Sequence, residues 1–379
     1  MSEALPRPEM TRGLWWWGID RFTLFVLIAL LLAGYVLVLA ASPGVAERIG
    51  AGSRDLFALR QVVWLVLAFG VLLGVSLLSV RQVKWLAVLG LLAALAATAA
   101  TLVIGVEIKG ARRWLALPGL SLQPSEFLKP TLAIVCAILL AEGKLAAAPG
   151  RRWLATGGAL GLALLGGALL KAQPDIGMLA VLAAVLFVQF FVSGLNLALV
   201  FLVGLIVLGA LGAAYALLPH VQSRVHRFLF PEGTDTFQID TALRAFGNGG
   251  LFGVGPGEGR VKTNLPDAHS DFIFAVAGEE FGMIACLVLI LLFGAIVVRG
   301  LLRLLAEPDL FVVLAASGLL AGFGLQAFVN MGSTLNLIPT KGMTLPFVSY
   351  GGSSLLAIAF GMGALLALTR RRPPRGVGG

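Results

Sequence analysis

Ten stretches of this chain run apolar for about twenty residues each, and the short segments between them hold most of the charge. Their bounds fall near 21–42, 58–79, 84–106, 126–142, 153–171, 176–194, 196–218, 272–298, 309–330 and 343–369. A helix needs roughly 20 apolar residues to cross the hydrocarbon of a bilayer. The runs lack the alternation of barrel strands, so backbone hydrogen bonding in lipid predicts helices. The expected fold class is all-α, a polytopic integral membrane protein with ten transmembrane helices. Internal glycines such as Gly157, Gly158, Gly166 and Gly167 suit close helix–helix contacts.

An even number of crossings leaves both termini on one side. Arg7, Arg12 and Arg21 at the start, and Arg370, Arg371, Arg372 and Arg375 at the end, predict that this side is cytoplasmic. The expected division is a cytoplasmic segment 1–20, a membrane domain 21–369 and a basic cytoplasmic tail 370–379. The largest outer segment then spans about 219–271, between the seventh and eighth helices. Within it Ile239, Leu243 and Phe246 recur at i, i+4 and i+7, with Asp240 or Thr241 as a start cap and Asn248, Gly249 and Gly250 as a stop. This predicts a short amphipathic helix lying on the outer membrane face.

Composition agrees: 59% of the residues are apolar and 12% charged, where soluble domains carry about half and a quarter. The net charge of +9 does not predict nucleic-acid binding, because the Lys and Arg residues are scattered over short loops rather than gathered on one stripe. Anionic lipid or a phosphate-bearing substrate suits them better. Cys136 and Cys286 lie inside apolar runs and suggest neither a disulfide nor a metal site. Trp15, Trp16, Trp17, Trp64, Trp85 and Trp153 near run ends read as interface anchors.

The candidate chemistry concentrates on the outer side. Asp271 stands where the long outer segment enters the eighth run. Partial desolvation there raises a carboxyl toward the range of a useful base, while the plainer reading is an N-cap for a helix starting at Phe272. His269, two residues upstream, either tunes that carboxylate or meets phosphate, unless it is simply solvated. Glu279 and Glu280 lie about two turns further in, roughly 12–14 Å along a helix rising 1.5 Å per residue. They line a polar cavity or form a buried ion pair. Glu126 and Lys129, spaced i, i+3, either pair with each other or line the same cavity. Asp175 reads as a cap for the sixth helix. Lys109, Arg112, Arg113, Arg224, Arg227, Arg260, Lys262 and Lys341 place positive charge on the outer face, as headgroup contacts or as a cradle for a diphosphate. Gly253, Gly255, Gly257 and Gly259 do not make a dinucleotide fingerprint, since no strand precedes them, but their amides suit phosphate. There is no Walker A sequence.

Four stretches carry a resemblance that covers nearly the whole chain: KGARRWLALPGLSLQPSEFLKP at 109–130, QPDIG at 173–177, NLPDAHSDFIFAVAGEEFG at 264–282 and PTKGMTLPFVSYGGSSL at 339–355. In order and placement they are similar to the SEDS family (shape, elongation, division and sporulation). The opening WWWGID and the FGNGGLFGVGPGEG run resemble its cell-division, FtsW-type branch rather than its elongation branch. Thr263 stands where some members carry an acid, so no role of that acid transfers here.

The resemblance implies ten transmembrane helices, a large periplasmic loop between the seventh and eighth, and a peptidoglycan glycosyltransferase of the inner membrane at the division septum. Such an enzyme polymerises lipid II, an undecaprenyl-diphosphate-linked disaccharide pentapeptide, into β-1,4 glycan strands. It implies Asp271 as the essential carboxylate, Glu126 and Lys129 as part of a central polar cavity, and a class B penicillin-binding transpeptidase of the FtsI type, with other divisome proteins, as partners. The sequence names no certain cofactor, and a divalent cation (Mg or Mn) stays open as an aid to the leaving diphosphate. Substrate contacts are expected from His269, Lys109, Arg112, Arg113, Glu126, Lys129, Arg224, Arg227, Lys262, Glu280 and Lys341. A lipid II flippase and a non-enzymatic division scaffold are the alternatives.

Overall fold

A computed structural model of the chain describes residues 12–48, 50, 53, 56–108, 110–117, 120–194, 197–230, 236–339 and 342–371. Its helices are α1 (Arg12–Gly18), α2 (Arg21–Arg48), α3 (Leu56–Ser76), α4 (Val80–Ile104), α5 (Ser125–Leu145), α6 (Pro149–Ala172), α7 (Ile176–Val192), α8 (Leu197–Leu217), α9 (Pro219–Leu229), α10 (Phe237–Gly249), α11 (Ile273–Leu304), α12 (Leu310–Thr334) and α13 (Gly352–Leu368). A helix stands over each of the ten apolar runs. Among the described residues, six of them are long and apolar enough to cross a membrane: α2, α3, α4, α6, α11 and α12. The apolar α7 and α13 are shorter, at 17 residues each, and α5 carries Glu126, Lys129, Glu142 and Lys144. Many large apolar side chains point outward, among them Leu59, Val63 and Val66 on α3 and Leu287 and Leu291 on α11. An apolar exterior over an apolar interior is the arrangement that lipid solvent selects.

Local chemistry sets several boundaries. Ser79 and Gln82 cap α4 reciprocally: the Gln82 amide donates to Ser79 Oγ at 3.3 Å, and the Ser79 amide to Gln82 Oε1 at 2.8 Å. Asp175 caps α7 by accepting from the Met178 amide at 3.1 Å, as its position predicted. Asp309 does the same for α12 from Phe311 at 2.9 Å. The central helix is α5, buried along most of its length and packed on α4, α6, α7, α12 and α13. Gly166 and Gly167 face leucines of neighbouring helices, a Cβ built on Gly158 would stand 3.7 Å from Leu139, and one on Gly157 would meet open space, so the glycine pairs do not act alike.

Four features depart from the sequence reading. Residues 106–122 form a small antiparallel sheet, β1 (Val106–Ile108), β2 (Ala111–Leu117) and β3 (Leu120–Leu122), so the fold is not purely helical. Its cross-strand pairing of Glu107 with Arg112 and of Val106 with Trp114 supplies the bonds that a short loop lacks. Second, 342–351 is not helical. Pro346 removes an amide, and Phe347 turns the backbone left-handed at φ 63°.

Third, the segment 219–271 is structured throughout most of its described length, with α9, α10 and a 3-10 turn at Val261–Asn264. The predicted helix exists as α10, but it packs on α11: Phe246 stacks on Phe274 with ring centroids 5.7 Å apart, and Gly249 lies against the backbone of Gly278 and Glu279. Fourth, α11 is broken at Gly282, whose φ 78° and ψ −177° lie outside helical space. The freed amides of Met283 and Ile284 donate to the Gly250 and Leu251 carbonyls at 2.9 and 3.3 Å. In return the amides of Val254 and Gly255 donate to the Glu279 and Glu280 carbonyls at 3.0 Å each. The loop after α10 thus completes the hydrogen bonding that the break opens.

Candidate active site

Asp271 belongs to a turn rather than to a helix end. Asp267 adopts a left-handed φ of 54°, and its carbonyl accepts from the amides of Ser270, Asp271 and Phe272 at 3.0, 3.0 and 3.3 Å. Helix α11 starts two residues later with Phe272 as its cap residue, so Asp271 is not the N-cap. Its side chain is half-buried and lies against Gly342: a Cβ built on that glycine would stand 2.7 Å from Asp271 Oδ2. Gly342 leaves the room that the carboxylate occupies.

His269 is held between aromatic rings, 4.5 Å from Phe57 and 5.1 Å from Tyr350 by centroids. Its Nδ1 is buried and has no hydrogen-bond partner among the described residues. Burial pushes the imidazole down to about 4, with the nearby Asp267 charge opposing the shift only in part. The ring is neutral near pH 7 and packs between Phe57 and Tyr350, so it is not the simply solvated loop histidine of the plainer reading. A cation does approach this cluster, since Arg60 of α3 hydrogen-bonds the Tyr350 side chain.

One helical turn further along α12 lies a buried polar network. Lys129 pairs with Glu126 at 2.7 Å and donates to Gln326 Oε1 at 2.6 Å. Gln326 Nε2 donates to the Thr344 carbonyl at 3.1 Å and to Thr344 Oγ1 and Ser354 Oγ at 3.2 and 3.3 Å. Glu126, Lys129 and Gln326 line the polar end of a partly open cavity. Ala133, Val185, Leu319, Phe323 and Met362 make up much of its apolar remainder. Both readings of the i, i+3 pair are therefore realised together: it is an ion pair, and it faces a cavity. Pro130 contributes locally, because its missing amide leaves the Glu126 carbonyl without its helical donor.

The sequence reading missed the residues that join these parts. Asn330, one turn from Gln326 on α12, donates through Nδ2 to the carbonyls of Asp271 and Met343 at 2.9 and 2.5 Å. Two carboxamides four residues apart on an apolar helix were a legible signal. Ser349 and Thr344, in the segment taken for helix, are part of the same scaffold. Among the described residues, no three His, Cys, Asp or Glu side chains converge to hold a metal ion.

A half-buried acid on a turn and a mostly apolar cavity walled at one end by the Glu126–Lys129 pair include residues of the motif stretches read from the sequence, and the family profile described as "Cell cycle protein" (FtsW, RodA, SpoVE) matches residues 21–373. The chain belongs to this FtsW/RodA/SpoVE family. It is similar to a probable peptidoglycan glycosyltransferase FtsW of Caulobacter vibrioides (strain NA1000 / CB15N), 42% identical over 373 residues, covering 98% of this chain and 95% of the other. The corresponding protein of Geobacter metallireducens is 36% identical over 339 residues, covering 86% and 88%. Among solved structures, a chain of a peptidoglycan synthase complex studied for coordination of polymerization and crosslinking superposes with a TM-score of 0.74, at 31% identity over 93% of this chain and 97% of that one. The rod shape determining protein RodA of Thermus thermophilus gives 0.66 at 32% identity, with the same coverage.

The remaining expected contacts of this FtsW/RodA/SpoVE member divide into three groups. Lys262 and Glu280 pair with each other, both buried. Glu279 accepts from the Val261 and Lys262 amides and from Asn248 Nδ2, each at 2.8 Å. These acids and Lys262 rivet the loop to α11, and none of the three is among the residues lining the cavity. The glycine amides are used internally too: Gly257 donates to Glu280 Oε1 at 3.1 Å, and Gly253 and Gly255 bond backbone carbonyls. This corrects the expectation that they hold phosphate. Arg113 is likewise engaged, donating to the Gln173 and Pro174 carbonyls at 2.9 and 2.8 Å and facing Asp175 at 3.4 Å. It docks the sheet on the α6–α7 turn. Arg112 is exposed and pairs with Glu107 at 3.4 Å. Positions 224 and 227 fall on α9, and Lys109 and Lys341 lie outside the described residues.

Proposed function

We propose that this chain is a peptidoglycan glycosyltransferase that polymerises lipid II into β-1,4 glycan strands during septal wall synthesis, with Asp271 as the general base. The observation that carries the reading is the Asp271 carboxylate, half-buried on a fixed turn and given room by Gly342. The acceptor 4-hydroxyl passes its proton to Asp271 as its oxygen bonds the donor's anomeric carbon. The bond from that carbon to undecaprenyl diphosphate breaks, and the α-linkage becomes β in one displacement. The leaving diphosphate is met by cations about the outer loops: Arg60 beside Tyr350, exposed Arg112, Lys109 and Lys341.

The same reading includes the topology. Helices α2–α8 and α11–α13 make ten crossings, the segment 219–271 is periplasmic, and both termini are cytoplasmic. Residues 1–20 and 370–379 flank a single membrane domain. The working partner is a class B transpeptidase of the FtsI type. Support comes from relatives named FtsW glycosyltransferases, from helices over all ten apolar runs and from the basic residues at both ends.

Asp271→Asn is expected to lower polymerisation of labelled lipid II by about 10²–10⁴-fold, the range for loss of a general base. The assay uses the full chain with the transpeptidase, and thermal melting confirms that the variant is folded. Wild-type polymer yield from the folded variant refutes the assignment.

A further inference from the structure

Ser349, within the motif at 339–355, has no role in the chemistry described so far, yet residues 342, 349 and 350 of that motif lie against the Asp271 turn. The carbonyls of three consecutive residues on that turn are each captured. His269 O accepts from the Tyr350 amide at 2.8 Å. Ser270 O accepts from Ser349 Oγ at 2.5 Å. Asp271 O accepts from Asn330 Nδ2 at 2.9 Å. Ser349 Oγ also accepts from the Leu345 amide at 2.7 Å, and Asn330 Nδ2 also bonds the Met343 carbonyl at 2.5 Å. Each side chain therefore ties the acid's turn to the 343–350 segment. Both are almost wholly buried, Asn330 at 0% and Ser349 at 3% exposure, so water is not a ready substitute for their bonds.

We propose that Asn330 and Ser349 are positioning residues that hold Asp271 in its reactive place, acting through the turn's backbone rather than on the substrate. This deepens the general-base reading and rests on it. A turn of unsupported carbonyls would leave the carboxylate free to drift from its place beside Gly342. Misplacement of a reacting group by about 1 Å is enough to cost on the order of 100-fold in rate. Asn330 is suited to the task because one amide nitrogen offers two donors, which bridge the carbonyls of Asp271 and Met343.

The test uses the full chain with its transpeptidase, lipid II turnover resolved into kcat and KM, and melting temperature as a check on folding. Asn330→Ala and Ser349→Ala are each expected to lower kcat by about 10–100-fold with KM little changed, because binding groups are untouched. Ser349→Thr, which keeps the hydroxyl, is expected to restore most of the rate. Asn330→Asp, which replaces the donors by an acceptor facing two carbonyls, is expected to be no better than alanine. Gly342→Ala pushes on the carboxylate from the opposite side, without removing a hydrogen bond, and is expected to give the same kcat-selective loss. Wild-type kcat in the folded alanine variants, with Asp271→Asn inactive, overturns the positioning role and leaves the base standing. Full activity of Asp271→Asn overturns both. If Asn330→Ala melts early, the Ser349→Ala and Ser349→Thr pair decides, and equal rates in that pair count against the proposal.

Discussion

At the scale of single residues, the site is governed by what each polar group already holds. Lys262, Glu279, Glu280 and Arg113 are occupied in building the scaffold, whereas Lys129 and Glu126 spend their charge on each other at a cavity wall. His269 gives a pH-dependent consequence. Its ring titrates near 6.5 when unfolded and near 4 when folded, because burial disfavours the cation. Between those values the unfolded state binds more protons. This contribution to stability is therefore complete above about pH 6.5 and is lost as pH falls toward 4. His269→Phe is expected to flatten that part of the melting-temperature profile, a difference of roughly 1–3 kcal/mol at the acid end. An unchanged profile would show that the imidazole is not the titrating group. The sequence made Asp271, Glu126 and Lys129 visible because acids and lysines in apolar runs stand out. It hid Ser349, because a lone hydroxyl betrays no burial until its neighbours are known, whereas Asn330 stands one turn from Gln326 on an apolar helix and was legible from that spacing.

At the scale of elements, period and length revealed where helices stand but not where they break. Nothing in the apolar pattern of 272–298 distinguishes a continuous span from the one interrupted at Gly282, since the interruption is resolved by hydrogen bonds from 249–255, far away in pattern. The β1–β3 sheet escaped for the opposite reason: its strands are three to seven residues long, too short for a period to register. Gly282 has a backbone conformation nearly confined to glycine, and a Cβ there would collide with the Leu251 carbonyl and the Gly253 amide. Gly282→Ala is expected to destabilise the fold by at least ~1–3 kcal/mol from backbone strain alone, read as a lower melting temperature. Retention of wild-type melting would mean that the break tolerates a side chain.

At the scale of the molecule, the end opposite the Asp271 turn is tied by one buried carboxylate. Asp20, between α1 and α2, accepts from Arg299 Nε and Nη2 on α11 at 2.9–3.1 Å, from Thr23 Oγ1 at 2.9 Å, and faces Arg303 at 2.9 Å. Arg303 also reaches the Thr369 carbonyl at the end of α13. Burial raises the acid's pKa, but the arginine and threonine bonds outweigh it and bring it down to about 2 from 3.8. The stabilisation is then fully present above about pH 3.8 and is lost as pH falls through 2. Asp20→Asn is expected to cost about 1–3 kcal/mol at neutral pH, seen as a lower melting temperature, and an unshifted melt would show the knot to be dispensable. The WWWGID motif drew attention through its tryptophans, while the acid at its end passed unremarked because its partners lie some 280 positions away.

The break in α11 gives the molecule a mechanical character. The portion that follows Asp271, residues 273–281, is bolted through Glu279 and Glu280 to the extramembranous loop, while the long remainder begins beyond a glycine swivel. The acid just ahead of that portion is fastened separately, by Asn330 of α12 and by Ser349 and Tyr350. Because residues 250–255 grip the helix on both flanks of that glycine, through Glu279 and Glu280 before it and Met283 and Ile284 after it, a load on the loop is shared by the two halves and the hinge is splinted.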